Sequence, residues 1–184
     1  MRQVHVPLSW EVIDWHPSDN WTKVTYPRLV EAGIDIDRIK KCVYVIRLNG
    51  DYAIDYPDGE SPVVYIGEGN FNSRIKLHRK WAANLKELVG EYLFQVCVAT
   101  PRVQNCDKAY RDCEAVLLDR FSEKFGSAPL WNKQFESRLH DNHSYSVKSL
   151  DYALCKRSGA KYKWAIRPMR SSPFFRSYGK THSY

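Results

Sequence analysis

The sequence lacks any run of eighteen apolar residues, so we expect no membrane-spanning helix. Its first ten residues carry charge and a proline before an apolar stretch could form, and we therefore expect no secretory signal. It also has no internal repeat and no low-complexity tract. With 184 residues, of which 43% are apolar and 27% charged, the chain is too apolar for general disorder. It fits one compact domain with extensions.

Cysteine is sparse and shows no pairing pattern. The five cysteines form no CxxC motif, and an odd number suits a disulfide framework poorly. We therefore expect a reducing compartment, the cytoplasm. His140 and His143 have no closely spaced pair of cysteines beside them, so we expect no structural zinc site. The segment Gly67-Glu68-Gly69 is too short for a nucleotide-binding glycine loop, and Glu68 is expected to be a turn residue.

Acidic residues are absent from the last 33 residues, 152–184, although the chain as a whole has 21 of them. This tail has eight basic residues and seven aromatic ones, whereas positions 1–151 hold 20 basic and 21 acidic residues. Basic side chains neutralise phosphates and aromatic rings stack on bases, so the tail predicts contact with nucleic acid. The alternative is a solubilising end whose aromatic residues pack on the body. The residues expected to bind nucleic acid are Lys156, Arg157, Lys161, Lys163, Arg167 and Arg170.

Apolar runs and breaker residues predict the order strand, strand, helix, strand, helix after residue 40. This order is typical of an α+β domain with a small, mainly antiparallel three-stranded sheet flanked by helices. We divide the chain into an N-terminal extension packed on the core (1–40), a core (41–135) and a basic, aromatic C-terminal arm (136–184).

The first predicted helix, residues 72–89, carries charge on its apolar side. A helical wheel places Arg74 and His78 near the middle of an apolar arc that includes Leu77. Because the two residues are four apart, they lie on the same face of the helix.

The second predicted helix, residues 107–125, repeats this anomaly. Glu114 lies at the centre of its apolar stripe, whereas Asp112 falls on the side that we expect to face solvent. Burial of an unpaired charge costs several kcal/mol, so these groups require partners, a metal or a wet cleft. We expect one polar pocket beside the sheet. An inward Arg74–Glu114 salt bridge without any chemistry is the alternative.

Five short motifs occur in a fixed order around these charged residues. They are Cys42-Val43-Tyr44, Tyr65-Ile66-Gly67, Arg74 with His78 one turn later, Glu114 and Asn132. The set resembles the GIY-YIG nuclease family over residues 41–135. The sequence departs from the family pattern in two respects: Cys42 replaces the first glycine, and 20 residues separate Tyr44 from Tyr65. Neither departure removes a reactive group.

The resemblance implies a Mg²⁺-dependent endonuclease that cuts DNA, with Mn²⁺ as a substitute metal. Glu114 would be the metal ligand, Arg74 would contact the scissile phosphate, and Tyr44 would act as general base. A free phenol titrates near pH 10, so Tyr44 would need the field of the metal or a proton acceptor such as His78. Tyr65 would orient water or phosphate. The remaining residue, Asn132, would brace Glu114 or the pocket.

The sequence alone leaves other interpretations of the function open. The enzyme could be restriction-like and sequence-specific, or encoded by a phage or mobile element. A homodimer that clamps duplex DNA would be consistent with the restriction-like enzyme. RNA is not excluded as the substrate, and a nucleic-acid-binding module that no longer cleaves is the alternative from a different functional class.

Overall fold

Nine strands and four α-helices make up the part of the chain that this computed structural model describes, residues 3–49, 52–89, 94–132, 137–154, 162–167 and 169–171. The strands are β1 (Val4–His5), β2 (Glu11–Trp15), β3 (Cys42–Leu48), β4 (Tyr52–Tyr56), β5 (Gly59–Ser61), β6 (Val63–Gly69), β7 (Phe94–Ala99), β8 (His143–Ser144) and β9 (Trp164–Ile166). The helices are α1 (Tyr26–Glu31), α2 (Phe71–Val89), α3 (Ala109–Phe125) and α4 (Val147–Leu154), with a π-helical turn at Trp21–Thr25 and a 3₁₀ helix at Ile36–Lys41. The fold is α+β.

The main sheet is antiparallel and has the strand order β2–β7–β3–β6. Its inner strand β3 is buried along its whole length, which agrees with its β-branched and aromatic composition. In the register of the sheet, Tyr44 is paired with Gly67 on β6 and with Val98 on β7. The sheet therefore holds Tyr44 on an inner strand and Tyr65 on the neighbouring edge strand.

The prediction of a three-stranded sheet was incomplete, because β2 adds a fourth strand. This strand comes from the N-terminal segment and pairs with β7 from Glu11↔Val98 to Trp15↔Phe94. Trp15 is fully buried and its ring lies 5.7 Å from that of Phe94. Burial of these large rings stabilises a pairing between segments that are far apart in sequence.

A second, smaller sheet has the strand order β5–β4–β9. The β4–β5 hairpin lies between β3 and β6 in the chain, and β9 pairs with β4 in parallel. Strands β1 and β8 form a separate parallel pair. Part of the predicted C-terminal arm is thus a strand of this second sheet.

Helix α3 packs against β3 and β6, and α4 packs against α3. At its C-terminus α3 is ended by Gly126, which has a φ of 75° and donates its N–H to Ser122 O at 2.8 Å. Arg120 binds Asp151 on α4 through two N–H groups, at 3.1 and 3.2 Å. These contacts fix the helix that carries Glu114.

None of the described helices combines the length and the apolar character that crossing a bilayer requires.

Candidate active site

The six residues predicted to be catalytic lie on four elements and one loop. Tyr44 is on β3, Tyr65 on β6, Arg74 and His78 on α2, Glu114 on α3, and Asn132 in the segment that follows α3. Of these, Tyr44, His78 and Glu114 are buried, Tyr65 is half-buried and Arg74 is exposed.

Three of the six form one ring cluster. The centroid of the Tyr65 ring lies 4.3 Å from that of His78, and the Tyr44 ring lies 6.0 Å from Tyr65 and 5.8 Å from His78. The interplanar angles lie between 35° and 57°, so the rings are tilted against one another. Residues from two strands and a helix therefore meet at one place.

The cluster contains a directed chain of hydrogen bonds. Trp81 Nε1 lies 3.1 Å from His78 Nδ1 and can only donate, so we assign Nδ1 as the acceptor. A neutral imidazole then carries its hydrogen on Nε2, which donates to Tyr44 Oη at 2.8 Å. The sequence had suggested His78 as a proton acceptor for Tyr44. With this tautomer the nitrogen that faces Tyr44 is the donor, and the acceptor role of His78 stays a prediction.

Burial raises the pKa of Tyr44 well above the ordinary value of 10, and the nearby Tyr65 and Glu114 raise it further. The positive charge of Arg74 acts in the opposite direction. The pKa of Tyr65 is also raised, first by burial and then by the charge of Glu114, while a hydrogen bond from Tyr44 lowers it. Glu114 is thus close enough for its charge to act on both phenols.

His78 is neutral at neutral pH. Burial, and then the charge of Arg74, lower its pKa from 6.5 to about 4. A neutral ring is what the hydrogen bond from Trp81 requires, because the protonated ring would have no acceptor at Nδ1.

This lowered pKa predicts a pH dependence of stability. Between about pH 6.5 and pH 4 the unfolded chain binds a proton at His78 whereas the folded chain does not, so the fold loses stability as the pH falls. We expect the free energy of unfolding to fall by about 3 kcal/mol more in the wild type than in His78→Gln between about pH 7 and pH 4. Urea unfolding at a series of pH values measures this difference.

His16→Gln is the matched control, since among the described residues the hydrogen bonds given for the His16 ring are local ones, to Ser18. The free energy of unfolding of His16→Gln should change with pH by the same amount as that of the wild type. If the free energy of unfolding fell equally with pH in the wild type and in His78→Gln, a neutral, buried His78 would be contradicted.

Gly67 permits the close approach of the two tyrosines. A Cβ atom at this position would lie 2.5 Å from the Tyr65 ring and 2.7 Å from Tyr44 Oη, and the buried Tyr44 ring has no room to retreat. The other glycine of the family pattern is replaced by Cys42, which is fully buried and donates its thiol to Gly69 O at 3.2 Å. Burial raises the pKa of this thiol to about 12, so it stays protonated.

The expected burial of Arg74 was wrong. Its side chain is 46% exposed, and Leu77, which the wheel placed on the apolar arc, is 67% exposed. The wheel averages the composition of a face, whereas burial depends on which parts of α2 meet the rest of the molecule. Arg74 therefore lies at the solvent-exposed edge of the candidate site.

Sequence reasoning missed two charged residues beside Arg74. Glu68 Oε1 lies 3.9 Å from Arg74 Nη2 and 3.8 Å from Arg111 Nε. Its side chain is 14% exposed, so it is more than the expected turn residue and holds both guanidinium groups at one edge of the site. Arg111 precedes Glu114 by three residues, and this spacing on one helix face was the available signal.

Asn132 supports the strand that carries Tyr65. Its Oδ1 accepts the backbone N–H of Ile66 at 2.9 Å, and its Nδ2 donates to Ile66 O at 2.7 Å. The amide thus satisfies the outward backbone groups of an edge strand. These two bonds hold the backbone between Tyr65 and Gly67 in place.

The predicted nucleic-acid-binding residues are described only in part. Lys156, Arg157 and Lys161 lie outside the described residues. Lys163 and Arg167 flank β9, Arg170 follows shortly after, and all three are exposed.

Glu114 is the residue that would hold the Mg²⁺ ion implied by the family resemblance. Its carboxylate is a hard oxygen ligand, and Mg²⁺ commonly takes one or two carboxylates and completes its shell with water and phosphate oxygens. The side chain is 7% exposed on a helix that packs on β3 and β6, so its position is well fixed.

Comparisons of the chain with models of protein families, with curated proteins and with solved structures find no match.

Proposed function

We propose that the protein is a Mg²⁺-dependent endonuclease that hydrolyses phosphodiester bonds in DNA, with a site like that of the GIY-YIG nucleases. The observation that carries the proposal is the cluster of Tyr44, Tyr65 and His78 within the electrostatic reach of buried Glu114. A purely structural core does not need a buried imidazole and two phenols in contact within the electrostatic reach of a buried carboxylate.

Phosphodiester hydrolysis needs a water activated in line with the leaving oxygen and positive charge at the phosphoryl group. Tyr44 would accept the proton from this water, which requires its phenolate form. Two contacts favour that form: the Nε2–H of His78 donates to Oη, and Arg74 lowers the pKa. Bound at Glu114, Mg²⁺ would supply positive charge to the phosphate oxygens. The same charge would oppose the rise in the pKa of the tyrosines, which burial causes first and the charge of Glu114 increases.

Arg74 and Arg111 are the groups that would meet the substrate phosphates. Both side chains are about half-exposed, and their shared partner Glu68 lies at contact distances near the upper limit for an ion pair. A phosphate offers a guanidinium group two oxygens in its own plane, so a DNA strand can displace Glu68 as the partner. Lys163, Arg167 and Arg170 would add phosphate contacts outside the site.

Supercoiled plasmid is the direct test. We expect purified protein to cleave it with Mg²⁺, to stop when EDTA is added in excess, and to resume when Mg²⁺ is restored. Discrete linear fragments would identify a sequence-specific, restriction-like enzyme. Nicked or smeared product would identify a structure-directed or loosely specific nuclease. Absence of cleavage across plasmid sequences, with Mn²⁺ as well as Mg²⁺, would overturn the DNA endonuclease and leave a binding module or an RNA-directed enzyme, which the same assay on RNA separates.

A further inference from the structure

Four side chains with metal-binding atoms meet beside the start of α3, outside the site described above. They are Cys106, Asp112, His140 and His143, and one ligand atom from each lies within 4.8 Å of every other. The sequence led us to expect no zinc site, because close cysteine pairs are absent. That criterion was too narrow, since the fold collects ligands from the loop before α3, from α3 itself and from the segment around β8.

Asp112 is the centre of the cluster. It is fully buried, which corrects its expected place on the solvent side of the helix. Its Oδ1 accepts the backbone N–H groups of Leu139 at 2.6 Å and His140 at 3.1 Å. Its Oδ2 lies 2.7 Å from His140 Nδ1 and 2.9 Å from His143 Nδ1. One oxygen is therefore held by the backbone, while the other faces both imidazoles.

Cys106 completes the group. Its Sγ lies 3.9 Å from His140 Nδ1, the nitrogen that also contacts Asp112. If His140 Nδ1 carries a hydrogen and donates it to the carboxylate, the sulfur receives at most a weak, shared hydrogen bond, because sulfur is a poor acceptor. A metal ion satisfies all four groups together, because each presents a lone pair to it.

The local backbone places these ligands by tight turns. His140 and His143 are separated by two residues, with the N–H of His143 donating to His140 O at 3.3 Å, and their rings are stacked at 4.9 Å. The N–H of Cys106 donates to Val103 O at 3.2 Å, and the preceding Asn105 has a φ of 58°. His140 is 41% exposed, so an ion has a path to a group that is otherwise largely buried.

The distances suit a small ion with tetrahedral coordination. Bonds of about 2.0–2.3 Å to nitrogen, oxygen and sulfur place neighbouring ligand atoms roughly 3.3–3.8 Å apart. The pair distances of 2.7, 2.9 and 3.9 Å bracket that range, so shifts of about 1 Å in the side chains are enough. One thiolate, two imidazoles and one carboxylate are a donor set that favours Zn²⁺ over Mg²⁺ or Ca²⁺.

We propose that these four residues bind a structural Zn²⁺ ion. Four protein ligands close the coordination shell, which is typical of structural rather than catalytic zinc. The ion would fasten the segment around β8 to α3, two residues before Glu114. It would thereby stabilise the helix of the candidate active site without taking part in catalysis.

The test measures metal on the full chain. Protein expressed with added zinc is dialysed against metal-free buffer and analysed by inductively coupled plasma mass spectrometry. We expect one zinc ion per chain in the wild type, in His16→Gln and in Glu114→Gln, and at least about a tenfold loss of zinc affinity in Cys106→Ser and His140→Gln. Glu114 is not one of the four proposed zinc ligands. Zinc binding by Glu114→Gln would therefore test the zinc site independently of the nuclease proposal.

A second measurement uses only the wild type, in case the variants do not fold. Co²⁺ titrated into zinc-free protein should produce visible bands of tetrahedral cobalt and a thiolate charge-transfer band, both removed by one equivalent of Zn²⁺. Wild-type protein that takes up neither ion would overturn the proposal. Equal zinc binding by folded Cys106→Ser, His140→Gln and wild type would overturn it too.

Discussion

Glu114→Gln is expected to leave DNA binding close to that of the wild type while plasmid cleavage falls at least about a thousandfold. A metal ligand supplies several kcal/mol of transition-state stabilisation, and each 1.36 kcal/mol changes the rate about tenfold. The amide has nearly the same shape as the carboxylate but is a poor ligand for Mg²⁺. Single-turnover cleavage at saturating Mg²⁺ measures the rate, and fluorescence anisotropy with a labelled duplex measures the affinity.

This substitution separates two roles for the same carboxylate. The charge of Glu114 raises the pKa of both tyrosines, so its removal by itself would make the phenolate of Tyr44 more accessible and would speed proton transfer. A large loss of cleavage therefore indicates metal binding rather than tuning of the tyrosines.

Glu123→Gln is the matched control, because Glu123 lies exposed on the same helix. It should cleave at the wild-type rate. A Glu114→Gln rate within about tenfold of the wild type would refute the metal role, since a lost ligand costs several kcal/mol.

Tyr44→Phe is expected to lower cleavage by about 10²–10⁴, the usual contribution of a positioned general base. The change removes one hydroxyl from a fully buried ring and leaves the Nε2–H of His78 without its acceptor. That loss destabilises the fold by about 1–3 kcal/mol. Cleavage rates below the melting transition, together with thermal unfolding, distinguish lost chemistry from lost structure.

Tyr56→Phe provides the comparison for this variant. The Tyr56 hydroxyl is also buried: it donates to Val63 O at 2.6 Å and accepts the N–H of Leu130 at 3.0 Å. Its removal should destabilise the fold by a similar amount yet leave the cleavage rate within a few-fold of the wild type. If the two variants lost equal activity, Tyr44 would be a structural residue and not the base.

Much of the core could be predicted from local pattern. The run from Cys42 to Ile46 predicts a buried strand, and β3 is one. The period of α3 places Glu114 on its buried face, and burial of a carboxylate marks a site in need of a cation or another partner. These predictions succeed because side-chain burial along one element follows its own helical or strand period.

Other features depend on which surfaces meet. The wheel could not show that Arg74 and Leu77 lie where α2 is uncovered, or that Asp112 faces the His140–His143 turn. Strand β2 gave no local signal of its partner, since β7 lies far along the chain. Each of these outcomes depends on a second segment that the local pattern does not contain.

The sequence by itself determined the identity and order of the reactive groups, the element on which each is carried, and the segregation of basic charge in the last 33 residues. Tertiary structure alone decided the direction of the His78–Tyr44 hydrogen bond, through the indole of Trp81. It alone also brought together the four side chains with potential metal-ligand atoms, Cys106, Asp112, His140 and His143. The physical reason is the separation along the chain of the residues that determine each feature. Periodicity reports neighbours a few residues apart, whereas hydrogen-bond direction and metal coordination depend on atoms brought within about 3–4 Å by long-range packing.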